Sequence, residues 1–85
     1  MKMTALTYEQ ISILQACTPG AWIGIPELEH ATSYERLHVY ANLYVMDNEG
    51  LLKYRNAGTS TIEVMLTDMG LALYIALDQM KQELH

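Results

Sequence analysis

The sequence predicts a small α+β domain, mostly helical, in which short helices lead to a β-hairpin and then to a long C-terminal helix. Three observations predict it. The stretch Thr32–Leu52, TSYERLHVYANLYVMDNEGLL, opens with Thr32 and Glu35 at the spacing of a capping box, where hydroxyl and glutamate each satisfy a free backbone N–H. Within it Val39, Leu43 and Met46 recur at steps of four and three, which places them on one face of a helix, and Gly50 ends that helix where a positive φ costs least. Beyond the stop, Leu51–Asn56 and Thr61–Leu66 alternate as two strands around the turn-forming run Ala57-Gly58-Thr59-Ser60.

The elements before this stretch follow from the same rules. Met1–Leu6 is a frayed lead-in, and Thr7 with Gln10 offers a second capping box. Ile11, Ile13, Leu14 and Cys17 then give an apolar stripe, so Thr7–Cys17 is the first helix, stopped by Thr18-Pro19-Gly20 because proline lacks an N–H and disfavours helix before it. Ala21–Ile25, apolar and bracketed by glycines and Pro26, reads as a brief strand. Pro26–Ala31 reads as a short second helix with proline at its first position, Glu27 and Glu29 near its positive end, and Leu28 and Ala31 toward the core.

Ser33–Glu49 is the third helix and carries more apolar surface than one core can use. Besides the Val39–Leu43–Met46 seam it has a second row through Leu37, Tyr40, Ala41, Tyr44 and Val45. That row either packs on the last helix or forms a docking surface, with Leu37, Tyr40 and Tyr44 as its anchors. Thr67-Asp68 starts the last helix, about 17 residues long, with threonine as cap. Leu73, Leu77, Met80 and Leu84 form a heptad-like seam along it, and this seam is the expected dimer contact unless the helix folds back on its own domain.

Short helix, second helix, capped longer helix, glycine stop and hairpin make the order of a winged helix-turn-helix: a three-helix core, a short strand plus a β-hairpin wing, and a long C-terminal helix. The whole chain, 1–85, is expected to be one such domain, with 7–66 as the winged-helix core and 67–85 as the dimerisation helix. At 85 residues the domain buries only about 60–65% of its unfolded surface. A hydrophobic share of 51% nonetheless suffices for a packed core.

Two motifs carry a family resemblance over about 60% of the chain, from Ile23 to Leu73. Met46-Asp47-Asn48-Glu49-Gly50-Leu51 stands where the MarR and PadR families of bacterial regulators end their recognition helix with a leucine, three mostly polar residues and Gly-Leu. Leu66-Thr67-Asp68-Met69-Gly70-Leu71-Ala72-Leu73 is similar to the Leu-Thr, two residues and Gly that close their wing. The resemblance implies DNA binding through recognition helix and wing, usually by a dimer.

Composition narrows the functions. One cysteine, Cys17, forms no internal disulfide, and no apolar run approaches the roughly 18 residues of a membrane span, so a cytoplasmic domain with no membrane contact is expected. Cys17 has no neighbouring histidine or second cysteine in sequence and reads as a core residue. No Ser/His/Asp or Cys/His pattern, HExxH, P-loop or GxGxxG occurs, so no catalytic residue, metal site or cofactor is expected and the chain is not an enzyme. The pair Glu27 and His30, three apart, lacks a third ligand and reads as solvated.

Two functions remain. The first is a small dimeric regulator of transcription binding double-stranded DNA, with Ser33, Tyr34, Arg36, His38 and Asn42 at the DNA and Lys53 and Arg55 gripping phosphates from the wing. Lys53 and Arg55 share one strand face, and the alternative for either is to pair across the hairpin with Glu63. The second is an acidic winged-helix interaction module, of the kind a phage or plasmid antagonist or adaptor would be, that docks a protein and does not bind DNA. Charge favours it: ten acids against five bases leave −5 overall, and Pro26–Gly50 sets Glu27, Glu29, Glu35, Asp47 and Glu49 against Arg36 alone.

Overall fold

The computed structural model describes residues 6–83 of the chain. Its elements run α1 (Tyr8–Ala16), β1 (Ile23–Gly24), α2 (Ile25–Thr32), α3 (Arg36–Asn48), β2 (Leu52–Arg55), β3 (Glu63–Leu66) and α4 (Asp68–Glu83). The fold is a winged helix-turn-helix, as the sequence predicts.

The helices form because their ends are held as well as their faces. Thr7 caps α1 with the expected box: Gln10 N–H donates to Thr7 Oγ1 and Thr7 N–H to Gln10 Oε1, both at 3.1 Å. Ile13, Leu14 and Cys17 meet Leu28 of α2 and the Val39–Leu43–Met46 seam of α3 in one dry core. The sheet closes it from the other side. Its order is β1-β3-β2, both pairs antiparallel, with Ile23 opposite Val64 and Leu52 opposite Leu66. Val64, Leu66 and Leu52 face inward.

The two recognised motifs prove to be one clamp. At the end of α3, Leu51 N–H donates to Met46 O at 3.0 Å and Gly50 N–H to Asp47 O at 2.9 Å, with Gly50 at φ 77°, the pairing of a Schellman motif. Thr67 then reaches back across: its hydroxyl donates to Gly50 O at 2.6 Å and accepts from Gly70 N–H at 3.1 Å, so one side chain caps α4 and ties it to the end of α3. Thr67 N–H donates to Leu51 O at 3.0 Å, and a Cβ on Gly70 would run into that same carbonyl oxygen. Close backbone approach, not turn geometry, is what requires glycine at 70.

Several boundaries differ from expectation, each for a local reason. Thr32 does not cap α3. It is the last residue of α2, its hydroxyl donating to Leu28 O at 2.7 Å and accepting from Tyr34 N–H at 3.3 Å. Ser33 follows in the left-handed region (φ 63°), and Glu35 becomes the N-cap of α3 without a side-chain cap bond, so α3 begins at Arg36 rather than Ser33. The first strand shrinks from Ala21–Ile25 to Ile23–Gly24, because Gly24 serves as N-cap and Ile25 as the first helical residue of α2, with Pro26 second. The turn that results leaves Ala31 exposed rather than in the core. The wing loop runs through residues 56–62, longer than the expected four, with Asn56 at φ 58° and Gly58 at φ 82°.

Candidate functional site

In this fold α3 lies between the core on one side and open solvent on the other. At roughly 100° per residue, the strip diametrically opposed to Val39, Leu43 and Met46 is Leu37, Ala41, Tyr44 and Asn48. It is apolar along most of its length, with Asn48 polar at its end: Leu37 is 82% exposed and Tyr44 67%, with Val45 and Tyr40 partly exposed on its flanks. The second row therefore does not pack on α4. A lone exposed leucine would mean little; here Leu37, Ala41 and Tyr44 form one exposed run on the outward face of α3.

The residues expected at DNA are distributed differently. Arg36 leaves the outward face for α2, its Nε donating to Glu29 Oε1 at 3.4 Å. His38 Nε2 shares a 2.7 Å hydrogen bond with Glu9 Oε2 of α1, and its ring stacks on Tyr34 with centroids 4.6 Å apart. Asn42 turns back along its own helix, donating to His38 O at 2.9 Å. Ser33 is spent on the left-handed cap between α2 and α3. On the wing, Arg55 pairs with Glu63 directly across the hairpin at 2.7 Å and lies over the Trp22 ring at 4.6 Å. Lys53 is exposed opposite Met65, and no carboxylate pairs with it among the described residues.

The candidate cations are thus gathered on the helix-turn-helix corner and the wing, but all except Lys53 are already matched to a carboxylate. These pairs are solvent-exposed, each worth about 0–1 kcal/mol, so they open easily. What they do not change is the sign of the surface, since the carboxylate stays beside its partner when the bond breaks. Glu35, Asp47 and Glu49 have no ion-pair partner among the described residues and sit at the two ends of α3. Glu9 and Trp22 are not singled out by the sequence, and Glu29 only for its charge and its place near the start of α2. Nothing in their spacing signals these roles, since Glu9 and His38 are 29 residues apart in the chain.

Behind the face the support is firm. Tyr54 of β2 donates its hydroxyl to Leu43 O at 3.2 Å, tying the wing root to the middle of α3. Burial, with the charge of Asp47 second, pushes the Tyr54 phenol above its ordinary pKa. Cys17 is closed into the core, its thiol donating to Ile13 O at 3.4 Å, and burial pushes its pKa up to about 11. Among the described residues no group of three metal-ligating side chains forms, and no helix is long and apolar enough to cross a membrane.

The seam expected on α4 divides. Leu73 and Leu77 are half-buried and pack against the domain's own core. Met80 is exposed, with Met69 and Ile75 on the outer surface of the same helix, and Leu84 lies outside the described residues.

Comparison with solved structures places the whole architecture. The fold is similar to that of BpsR from Bordetella bronchiseptica, whose structure concerns the regulation of its DNA binding by 6-hydroxynicotinic acid. The TM-score is 0.78 at 20% identity, covering 92% of this chain. The likeness meets the expectation of a winged-helix fold. The chain spans 56% of the length of that BpsR chain. No family model matches the sequence, and no curated protein matches it.

Proposed function

We infer that this is a winged-helix regulatory module that works through the outward face of α3, and that what the face contacts is protein. The observation that carries the reading is the strip Leu37–Ala41–Tyr44. These are the positions from which a recognition helix would address a major groove, and here they offer apolar surface. Buried aromatic and aliphatic anchors are the chemistry of protein interfaces, where tyrosine supplies large contact area at small entropic cost. Base edges want hydrogen-bonding partners, and of the candidates on α3 Arg36, His38 and Asn42 are engaged within the domain.

DNA binding by a dimer is the second reading, favoured by the fold shared with BpsR and by Lys53 standing unpaired on the wing. Anisotropy of a labelled mixed-sequence duplex, titrated at about 50 and about 200 mM salt, separates the two. Micromolar binding falling steeply with salt would overturn the protein reading. Absence of binding at low salt, with the domain folded, supports it.

The dimer belongs to both readings. Its support on α4 is Met69 and Met80, exposed and about 20° apart around the helix, with Ile75 exposed on another side. Because Leu77 also serves the domain's own core, Met80→Glu is the cleaner test. Sedimentation should show the wild-type dimer become a monomer that stays folded by circular dichroism, and a persisting dimer would move the contact off α4.

A further inference from the structure

The protein has two arginines, Arg36 and Arg55, and each stands on an element through which a winged helix addresses a duplex. Arg36 opens α3, and Arg55 ends β2 where the wing loop begins. Each is met by a glutamate from the neighbouring element. Glu29 of α2 accepts from Arg36 Nε at 3.4 Å, and Glu63 of β3 accepts from Arg55 Nε at 2.7 Å. Trp22 adds a second hold on the wing, with the Arg55 guanidinium 4.6 Å from the centre of its ring.

Local structure fixes both pairings. Arg55 and Glu63 are direct partners across β2 and β3, on the sheet face away from buried Val64, so separating them for good needs a slip of the whole strand. Glu29 lies in the last turn of α2, and the left-handed Ser33 turns the chain so that Arg36 returns beside it.

A phosphate approaching either arginine therefore meets a carboxylate already in place. The ion pairs are exposed and individually weak, so the obstacle is not the bond but the charge. When a pair opens, its glutamate stays beside the guanidinium and repels the incoming anion. Lys53 does not make up the loss, since one free cation supplies one phosphate contact.

We propose that Glu29 and Glu63 are a built-in block on phosphate binding, holding both arginines in internal pairs and keeping nucleic-acid backbones off the helix-turn-helix and the wing. The block resides in two carboxylates rather than in the net charge of −5, and it stands whether or not α3 docks a protein.

Glu29→Gln with Glu63→Gln keeps the size of both side chains and removes both charges. Glu35→Gln with Glu49→Gln removes the same charge from the ends of α3, where neither glutamate pairs with an arginine, and serves as the control. The full chains, checked for folding by circular dichroism, are titrated against a labelled mixed-sequence duplex by anisotropy at about 50 and about 200 mM salt. The Glu29/Glu63 variant should bind at least about tenfold more tightly than the control at the lower salt. Its log–log salt slope should be steeper by roughly two, the value for two added phosphate contacts. Trp22, the one tryptophan in the sequence, reports on the wing directly: its emission should change when duplex is added to that variant, as Arg55 leaves the ring. Equal gains in the two variants would overturn the proposal in favour of net charge alone. No gain in either would overturn it too, because the freed arginines would then not reach phosphate. Wild-type binding bears on the docking reading and the difference between the variants on the block, so either can fail alone.

Discussion

Leu43 and Tyr44 are neighbours in sequence on the same helix, and they belong to different problems. Leu43 is fully buried at the meeting point of α1, α2 and the wing root, and its carbonyl accepts from Tyr54. Tyr44, 67% exposed, touches solvent across the helix from the core. One side of α3 is determined by what the domain must bury. The other is free of that demand, so an apolar residue there calls for an explanation outside the domain. Helices that are apolar on two sides are ambiguous in sequence because the periodicity of the two rows is the same. The structure resolves the ambiguity by showing which row is covered.

The sharpest way to break the comparison is to truncate each residue in turn. Leu43→Ala should cost about 2–5 kcal/mol in urea unfolding, the loss expected for a large-to-small change in a packed core. Tyr44→Ala should stay within about 0.5 kcal/mol of wild type. A large loss for Tyr44 would mean that the outward strip does structural work after all.

Alkaline pH probes the inner side without changing its shape. The thiol of Cys17 rises from 9.0 to about 11 on folding. The unfolded chain therefore ionises first, and stability falls as pH climbs from about 9 toward 11, by roughly 2–3 kcal/mol across that window. Tyr54, raised in the same direction, adds to the loss. Cys17→Ala should shallow the decline when denaturation midpoints are compared at pH 8 and pH 10.5, and an identical slope would exclude the thiol as a source.

A smaller effect is expected at the clamp. Gly70→Ala forces a methyl group toward the Leu51 carbonyl and should cost about 1–3 kcal/mol, chiefly by displacing α4 from the end of α3. Hydrogen exchange at Leu51 and Thr67 N–H, whose acceptors are Met46 and Leu51, should accelerate along with it. Unaltered exchange would mean that α4 yields without loosening the wing.

What was legible in the sequence follows the same division. Val39, Leu43 and Met46, the Thr7–Gln10 box and the Gly50 stop each satisfy a local rule that the tertiary structure also wants, and each holds. Thr32 shows how a local rule fails. Its spacing to Glu35 fits a cap, but α2 runs one residue further than its apolar pattern implies, and the hydroxyl bonds back to Leu28 instead. Arg55 left two outcomes open, and pairing with Glu63 is the one observed. Only the register could decide it, since a shift of one residue would have placed the arginine on the other face. The matching of His38 to Glu9 depends on how α1 crosses α3, which no short-range pattern encodes.

The separation of the two faces of α3 has a consequence for change over generations. Leu37, Ala41 and Tyr44 are exposed, while Val39 and Leu43 between them are buried in the core. On the protein-docking reading proposed above, substitutions in the outward strip are nearly invisible to selection for stability and fully visible to selection for partner. On that reading a partner could be exchanged through three or four surface codons, while the scaffold that presents them stays fixed.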